Sequence, residues 1–321
     1  RRSAKRKLRR GGARMDRVEF LCARTDRVWV RDSGPMFVVN DLAQTPEEAV
    51  GLVDWRFNAW AKYDDYRQDD KLPGRIARFL ERDRDQTWPR WTPRRDVDGA
   101  SRRIVLEGGA IDANGLGMIL TTEECLLSPV QQRNPGLDRA GYEHALAEYL
   151  GAAHVIWLDR GIVGDDTHGH VDDLARFVDS STVAIAQASR ADDENHAALA
   201  ENWRRLNQAR DPSGNPLTVV ALPMPRPVIF DGVRLPASYA NFYVANGVVI
   251  VPTFNDPADR EALHTLAQLF PGREIVGIHA VDLVWGLGTL HCLTREQPRS
   301  LAASTSTSTS TPAPRGDAAA D

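Results

Sequence analysis

Tyr243-Val-Ala-Asn-Gly-Val-Val-Ile-Val251 sets two β-branched runs on either side of Asn-Gly, the expected chemistry of a strand-turn-strand. The pattern, with Asn, Asp, Gly or Ser at the turn, recurs at Phe177-Val-Asp-Ser-Ser-Thr-Val-Ala-Ile185, at Ile111-Asp-Ala-Asn-Gly-Leu-Gly-Met-Ile-Leu-Thr121 and at Phe37-Val-Val-Asn-Asp41. Its turns, near Asn40, Asn114, Ser180 and Asn246, lie roughly 65 to 75 residues apart, a period that implies repeated supersecondary units arranged around an axis. Helical stretches separate the hairpins. Asp256 caps one, with Pro257 at its first position, Ala262, Leu263, Leu266, Leu269 and Phe270 along one face, and Pro271-Gly272 at its end. Leu199, Trp203 and Leu206 form a second stripe, and Leu146, Tyr149 and Leu150 a third, closed by Gly151. Short, buried-looking strands follow, among them His154-Val-Ile-Trp-Leu158 and Glu274-Ile-Val-Gly-Ile278. The predicted unit is hairpin, helix, strand, and the fold class is α/β with a propeller-like arrangement.

A chain of 321 residues, 42% hydrophobic and 26% charged, is long enough to bury a substantial core. Its net charge of −4 argues against a nucleic-acid surface, because phosphate binding needs a basic excess that only Arg1 to Arg10 shows. No apolar run approaches a membrane span and no signal-peptide core is evident, so a cytoplasmic protein without membrane contact is expected. Residues 1–15 read as a basic N-terminal remnant and 16–298 as the catalytic domain. The Ser/Thr-rich stretch 299–321 reads as a disordered low-complexity tail. Cys22, Cys125 and Cys292 are too few and too widely spaced for a disulfide framework or a Cys-x-x-Cys zinc site. Cys22 and Cys125 read as small core hydrophobes.

Polar residues gather just ahead of each hairpin: Asp32 before the first, Glu107 before the second, His170 and Asp172 before the third, Asn241 before the fourth. Units related by rotation would bring these positions to the axis, into one small-molecule pocket. Gly286-Leu-Gly-Thr-Leu-His-Cys-Leu-Thr294 follows the last unit; its paired glycines permit close backbone approach and free placement of the Cys292 thiol. A rival reading takes His168-x-His170-x-Asp172 as two imidazoles and a carboxylate on Zn²⁺ in a zinc-dependent hydrolase. That reading is incomplete, since Asp173 stands where such a motif would carry another His. A non-catalytic binding propeller is a third reading.

The ordered set Trp29-Val-Arg-Asp-Ser-Gly-Pro35, Leu106 to Gly115, Leu120 to Pro129, Asp165 to Phe177 and Gly286 to Thr294 resembles the agmatine deiminase family, which includes the bacterial peptidylarginine deiminase branch. The resemblance runs from about Asp26 to Pro298. It implies the fivefold pseudosymmetric α/β propeller of guanidino-modifying enzymes (the pentein type), with the first repeat incomplete at the N-terminus. By the same resemblance Cys292 is the nucleophile, His170 the acid/base, Asp32 and Asp172 the guanidinium ligands, and Glu107 the carboxylate that completes the site. Trp29 and Asp166 would hold the rest of the substrate, with Asn241 added from its repeat position. Two departures stand out: Gly-Leu-Gly-Thr replaces a turn that usually carries a third glycine and an Asn, and His168 occupies a place more often acidic in agmatine-specific members.

The implied activity is hydrolysis of agmatine to N-carbamoylputrescine and ammonia through a covalent Cys thiouronium, a step in polyamine biosynthesis. Such chemistry needs no cofactor and no metal. A peptidylarginine or other arginine-type deiminase, an amidinotransferase and a dimethylarginine hydrolase are alternatives on the same site. A small guanidino molecule is the expected partner, with a homo-oligomer left open.

Overall fold

A computed structural model describes residues 2–43, 49–82 and 88–298; the low-complexity tail expected over 299–321 lies outside them. Four three-stranded sheets carry the architecture, each an antiparallel hairpin extended by a parallel third strand. The first joins Met36–Val39, Val50–Val53 and Arg90–Trp91; the second joins Asp112–Ala113, Met118–Thr122 and His154–Leu158. The third joins Ala175–Phe177, Thr182–Gln187 and Thr218–Pro223; the fourth joins Tyr243–Val244, Val248–Thr253 and Glu274–His279. A helix makes the crossover to each parallel strand: Leu72–Glu81, Arg139–Leu150, His196–Gln208 and Ala258–Leu269. A parallel strand needs such a crossover, because a tight turn can only reverse the chain. The predicted hairpin-helix-strand unit is therefore present four times among the described residues. All four sheets are open, and the fivefold ring implied by the resemblance is not displayed by the described residues.

Local chemistry explains the helix ends. The Asp138 side chain accepts from Gly141 N at 2.9 Å to start Arg139–Leu150, and Gly151, at φ +67, ends it in the left-handed conformation that suits glycine. Asp256 accepts from Ala258 N at 3.0 Å, just ahead of Ala258–Leu269, as its sequence position predicts. The predicted faces pack inward: Ala262, Leu266 and Phe270 join one core cluster, Leu199 and Leu206 another, Leu146 a third.

Neighbouring units share these cores. Helix His196–Gln208 of the third unit covers the outer strand of the second, with Leu199 and Leu206 packed among Ile156 and Leu158. Asn202 seals the contact, its Oδ1 accepting from Asp159 N at 2.6 Å and its Nδ2 donating to Arg160 O at 2.7 Å. Helix Ala258–Leu269 does the same for the third sheet, with Ala262 and Leu266 in one cluster with Leu222.

Three expectations need correction. Glu274–His279 is not buried: Ile278 is 41% exposed, because no helix of a following unit covers this outer strand among the described residues. Cys22 is exposed rather than in the core, in an irregular segment beside helix Leu72–Glu81; Cys125 is buried as expected. Asn40 does not close a tight hairpin. Its Oδ1 accepts from Leu42 N in a local turn, while Asn40 N pairs with Ala49 O across a longer connection.

The basic segment Arg2–Arg10 is helical with no buried residue. Among the described residues, no helix is long and apolar enough to cross a membrane.

Leu266 is fully buried between the third and fourth sheets. Leu266→Ala is expected to cost about 2–5 kcal/mol, read as a lower urea midpoint at unchanged slope; an unmoved midpoint would show that this helix does not hold the units together.

Candidate active site

Each polar position ahead of a hairpin lies in a short turn that leads into the inner strand of its sheet. Asp32 sits in the single helical turn Val30–Ser33, Glu107 immediately before the 3-10 turn Gly108–Ala110, and Asp172 in the 3-10 turn Val171–Asp173 with His170 before it. Asn241 lies two residues before the start of Tyr243–Val244. These side chains and Cys292 are all buried, and they meet.

The Cys292 Sγ lies 3.7 Å from Asp172 Oδ2 and accepts from Asn241 Nδ2 at 3.2 Å. His170 Nδ1 lies 3.8 Å from Asp32 Oδ1 and 3.9 Å from Asp172 Oδ1. Glu107, Cys125 and His170 come within 4.8 Å of one another through single polar atoms, as do Asp172, Asp173 and Cys292. Buried atoms without a partner mark the centre: Glu107 Oε2, His170 Nε2 and Asp172 Oδ1. Desolvated polar atoms left unpaired at one place are costly, and a cationic ligand would satisfy them.

Glycine permits the convergence. A Cβ on Gly109 would stand 2.5 Å from His170 Nδ1, 2.9 Å from Asp32 Oδ1 and 3.1 Å from Asp172 Oδ2, so only a bare backbone fits among the three. Gly109 N also donates to Asp32 Oδ1 at 3.0 Å. The glycines before Cys292 have a more specific use than was expected of them: a Cβ on Gly286 or Gly288 would press within 3.0 Å of the Trp29 ring. Leu287, at φ +66, holds the left-handed conformation between them.

A cavity of about 250 Å³ contains the sulfur and is lined by Trp29, Asp32, Trp60, Tyr63, Asp166 and Cys292 among others. A larger cavity of about 640 Å³ involves the hairpins, Arg31 and Arg176 but not Cys292. Asp166 is engaged there by an ion pair from Lys62 and by the Tyr63 hydroxyl at 2.7 Å. Asn241 does not line this cavity. Its Oδ1 accepts from Thr289 Oγ1 at 2.6 Å and from His291 N at 3.0 Å, which turns its amide nitrogen toward the sulfur. His168 bonds Ser128 Oγ at 3.1 Å and joins neither cluster of metal-capable groups among the described residues, so the zinc reading lacks its first ligand.

Sequence reasoning missed four contributors. Trp60 donates its indole N–H to Asp32 Oδ2 at 3.0 Å, and Arg133, fully buried, donates to Glu107 Oε1 at 3.1 Å. The His291 ring bonds Asp172 Oδ2 through Nδ1 at 2.7 Å, and Asp173 stands beside Asp172 and the thiol. Trp60 and Arg133 lie away from the positions ahead of the hairpins, and no spacing signal points to them.

Burial dominates the electrostatics. It pushes the Cys292 thiol well above its ordinary value, with Asp172, Asp173 and Asp32 adding to the effect. Asp32 is raised by burial and by Glu107, against the pull of His170 and of its hydrogen bonds. Burial also drives His291 well below the usual histidine range, helped by Arg176 and Arg31. The Asp172 carboxyl rises to about 6 from 3.8, again through burial first.

A folded carboxyl that binds its proton more tightly than the unfolded chain contributes stability below its unfolded pKa and loses it as pH rises through the folded one. Asp172 therefore contributes below about pH 3.8, and its contribution is lost by the time pH passes about 6. Asp172→Asn is expected to match wild type near pH 4 and to exceed it by about 1–3 kcal/mol at pH 7. Urea denaturation at the two pH values checks this; a variant less stable at pH 7 than at pH 4, relative to wild type, would contradict it.

Acidic oxygens from the first three units, brought together with a sulfur from the segment after the fourth, suit covalent chemistry on a flat cation, and the class so defined is that of the guanidino-modifying cysteine enzymes. Over residues 1–298 the sequence matches the family described as Porphyromonas-type peptidyl-arginine deiminase, and the chain belongs to that family. It is 35% identical over 305 residues to an agmatine deiminase of Stutzerimonas stutzeri, a match covering 88% of this chain and 77% of the relative. The solved agmatine deiminase of Enterococcus faecalis superposes with a TM-score of 0.75 at 34% identity, over 85% of this chain and 75% of that one. A C. jejuni agmatine deiminase solved with substrate bound gives 0.73 at 28% identity, over 89% and 77%.

Proposed function

We propose that this protein hydrolyses the guanidino group of agmatine, giving N-carbamoylputrescine and ammonia, with Cys292 as nucleophile. The observation that carries the reading is the Cys292 sulfur, 3.7 Å from the buried Asp172 carboxylate, in a cavity that also holds Asp32. A guanidinium is a delocalised cation whose forked N–H groups pair with carboxylates, a task that suits Asp32 and Asp172. The thiol, raised by burial and by these acids, would ionise when the cation enters and offsets their charge, its proton passing to His170. The thiolate then adds to the central carbon, and ammonia departs with a proton from His170. Water deprotonated by the now neutral His170 attacks the thiouronium, releasing the urea product and restoring the thiolate. Glu107, held by Arg133, orients His170 in this scheme. The names of the relatives support agmatine as substrate, and Trp29 and Asp166 would face its chain.

In the same reading, residues 16–298 form the catalytic domain, and a fifth hairpin-helix-strand unit would complete the ring. The uncovered outer strand Glu274–His279 supports this, since helices of the next unit cover the corresponding strands of the second and third sheets.

Ammonia release should be measured over agmatine, free arginine and a short arginine peptide, with and without exhaustive chelation. Agmatine is expected to be the preferred substrate, turned over equally with and without chelator, and Cys292→Ala is expected to abolish the activity. Turnover surviving in that variant, or lost on chelation, would overturn the thiol mechanism. A second outcome tests the convergence: Gly109→Ala should lower kcat/KM about 100-fold by displacing His170, and near-wild-type activity would show that the three side chains do not act together.

A further inference from the structure

The exposed end of the reaction cavity carries one carboxylate, Asp166, and this chain has already paired it. Lys62 Nζ forms an ion pair with Oδ1, and the Tyr63 hydroxyl donates to Oδ2 at 2.7 Å. The pairing is built in by the backbone. Ala59, Trp60 and Ala61 all have positive φ, so one left-handed turn points the Trp60 indole at Asp32 and delivers the next residue, Lys62, to Asp166. Gln131 Nε2 ties the turn in place, donating to Trp60 O at 3.2 Å and Asp166 O at 3.1 Å. The other cation here, Arg27, is committed to Asp65 and lies over the Trp60 and Tyr63 rings.

A substrate whose guanidinium is seated at Asp32 thus extends toward an acid that holds a lysine. We propose that Lys62 determines specificity in this pocket by competing with the cationic end of the substrate for Asp166. Selectivity for an ammonium tail is then set by displacement of a side chain and not by a free carboxylate. The displacement is feasible, because the Lys62 side chain is 39% exposed against 16% for Asp166, and can withdraw its head into water when an ammonium takes its place. The inference rests on the guanidino hydrolysis proposed above.

The test compares agmatine with butylguanidine, which has the same guanidino group and no charged tail. Ammonia release from the two is measured on single preparations of wild type, Lys62→Met and Lys62→Arg, so that partial unfolding cancels in the ratio of kcat/KM. Lys62→Met is expected to raise the agmatine-to-butylguanidine ratio about fivefold, the size of a partly exposed ion pair, through a lower KM for agmatine alone. Lys62→Arg, which keeps the competing charge, should leave the ratio near that of wild type. An unmoved ratio in Lys62→Met, or an equal rise in Lys62→Arg, overturns the proposal while leaving the function intact. No turnover of either compound by wild type overturns the function itself, and the proposal with it.

Discussion

Arg31 joins the two ends of the described fold, and the site exists only where it does so. Its main-chain N–H donates to Cys292 O at 3.1 Å, its Nε to His291 O at 3.3 Å, and its two terminal nitrogens grip Glu296 at 3.0 and 2.6 Å. A guanidinium only 3% exposed must find such acceptors, because a buried charge without them is costly. The next residue is Asp32 and the facing one is Cys292, so the same set of bonds that satisfies Arg31 brings acid and thiol together. Closing a loop of some 260 residues costs little more than closing a shorter one, since the entropy grows only with the logarithm of length.

Around that junction the fold accepts electrostatic cost. Asp32, Asp172, Asp173 and the Cys292 thiol are all displaced toward their neutral forms, with burial the largest cause for each. A core built for stability would not place three aspartates where water is excluded; a pocket prepared for a cation would. In the proposed reaction a bound guanidinium would offset these acids, linking substrate binding to ionisation of the sulfur. Gly109 shows how tightly the arrangement is drawn, because one methyl group would meet three side chains at once.

Much of the unit was legible along the chain. β-branched runs around Asn, Asp, Gly or Ser specify a hairpin through local turn chemistry, and an apolar stripe at helical spacing specifies the helix that follows, so the second to fourth units could be read directly. Two small hairpins were passed over, Arg94–Val97 with Ala100–Arg103 and Ile229–Phe230 with Val233–Arg234. Both turn at Asp-Gly with positive φ, at Asp98-Gly99 and Asp231-Gly232, a usable signal that the polar or very short flanking runs concealed. The exposed strand Glu274–His279 and exposed Cys22 erred for another reason: whether an apolar residue is covered depends on a neighbour elsewhere in the chain.

The sequence alone determined which polar residues stood where in each unit: Asp32, Glu107, His170, Asp172 and Asn241 each ahead of a hairpin, and Cys292 behind two glycines. Only the tertiary structure decided what they face. It turned the Asn241 amide to the sulfur, set Trp60 on Asp32, Arg133 on Glu107 and His291 on Asp172, and filled the space beside Gly286 and Gly288 with Trp29. Local propensity acts over a few residues and can be read from them. Contact between residues that lie 26 to 260 positions apart is set by how whole units pack, and that is fixed only when their apolar faces close on one another.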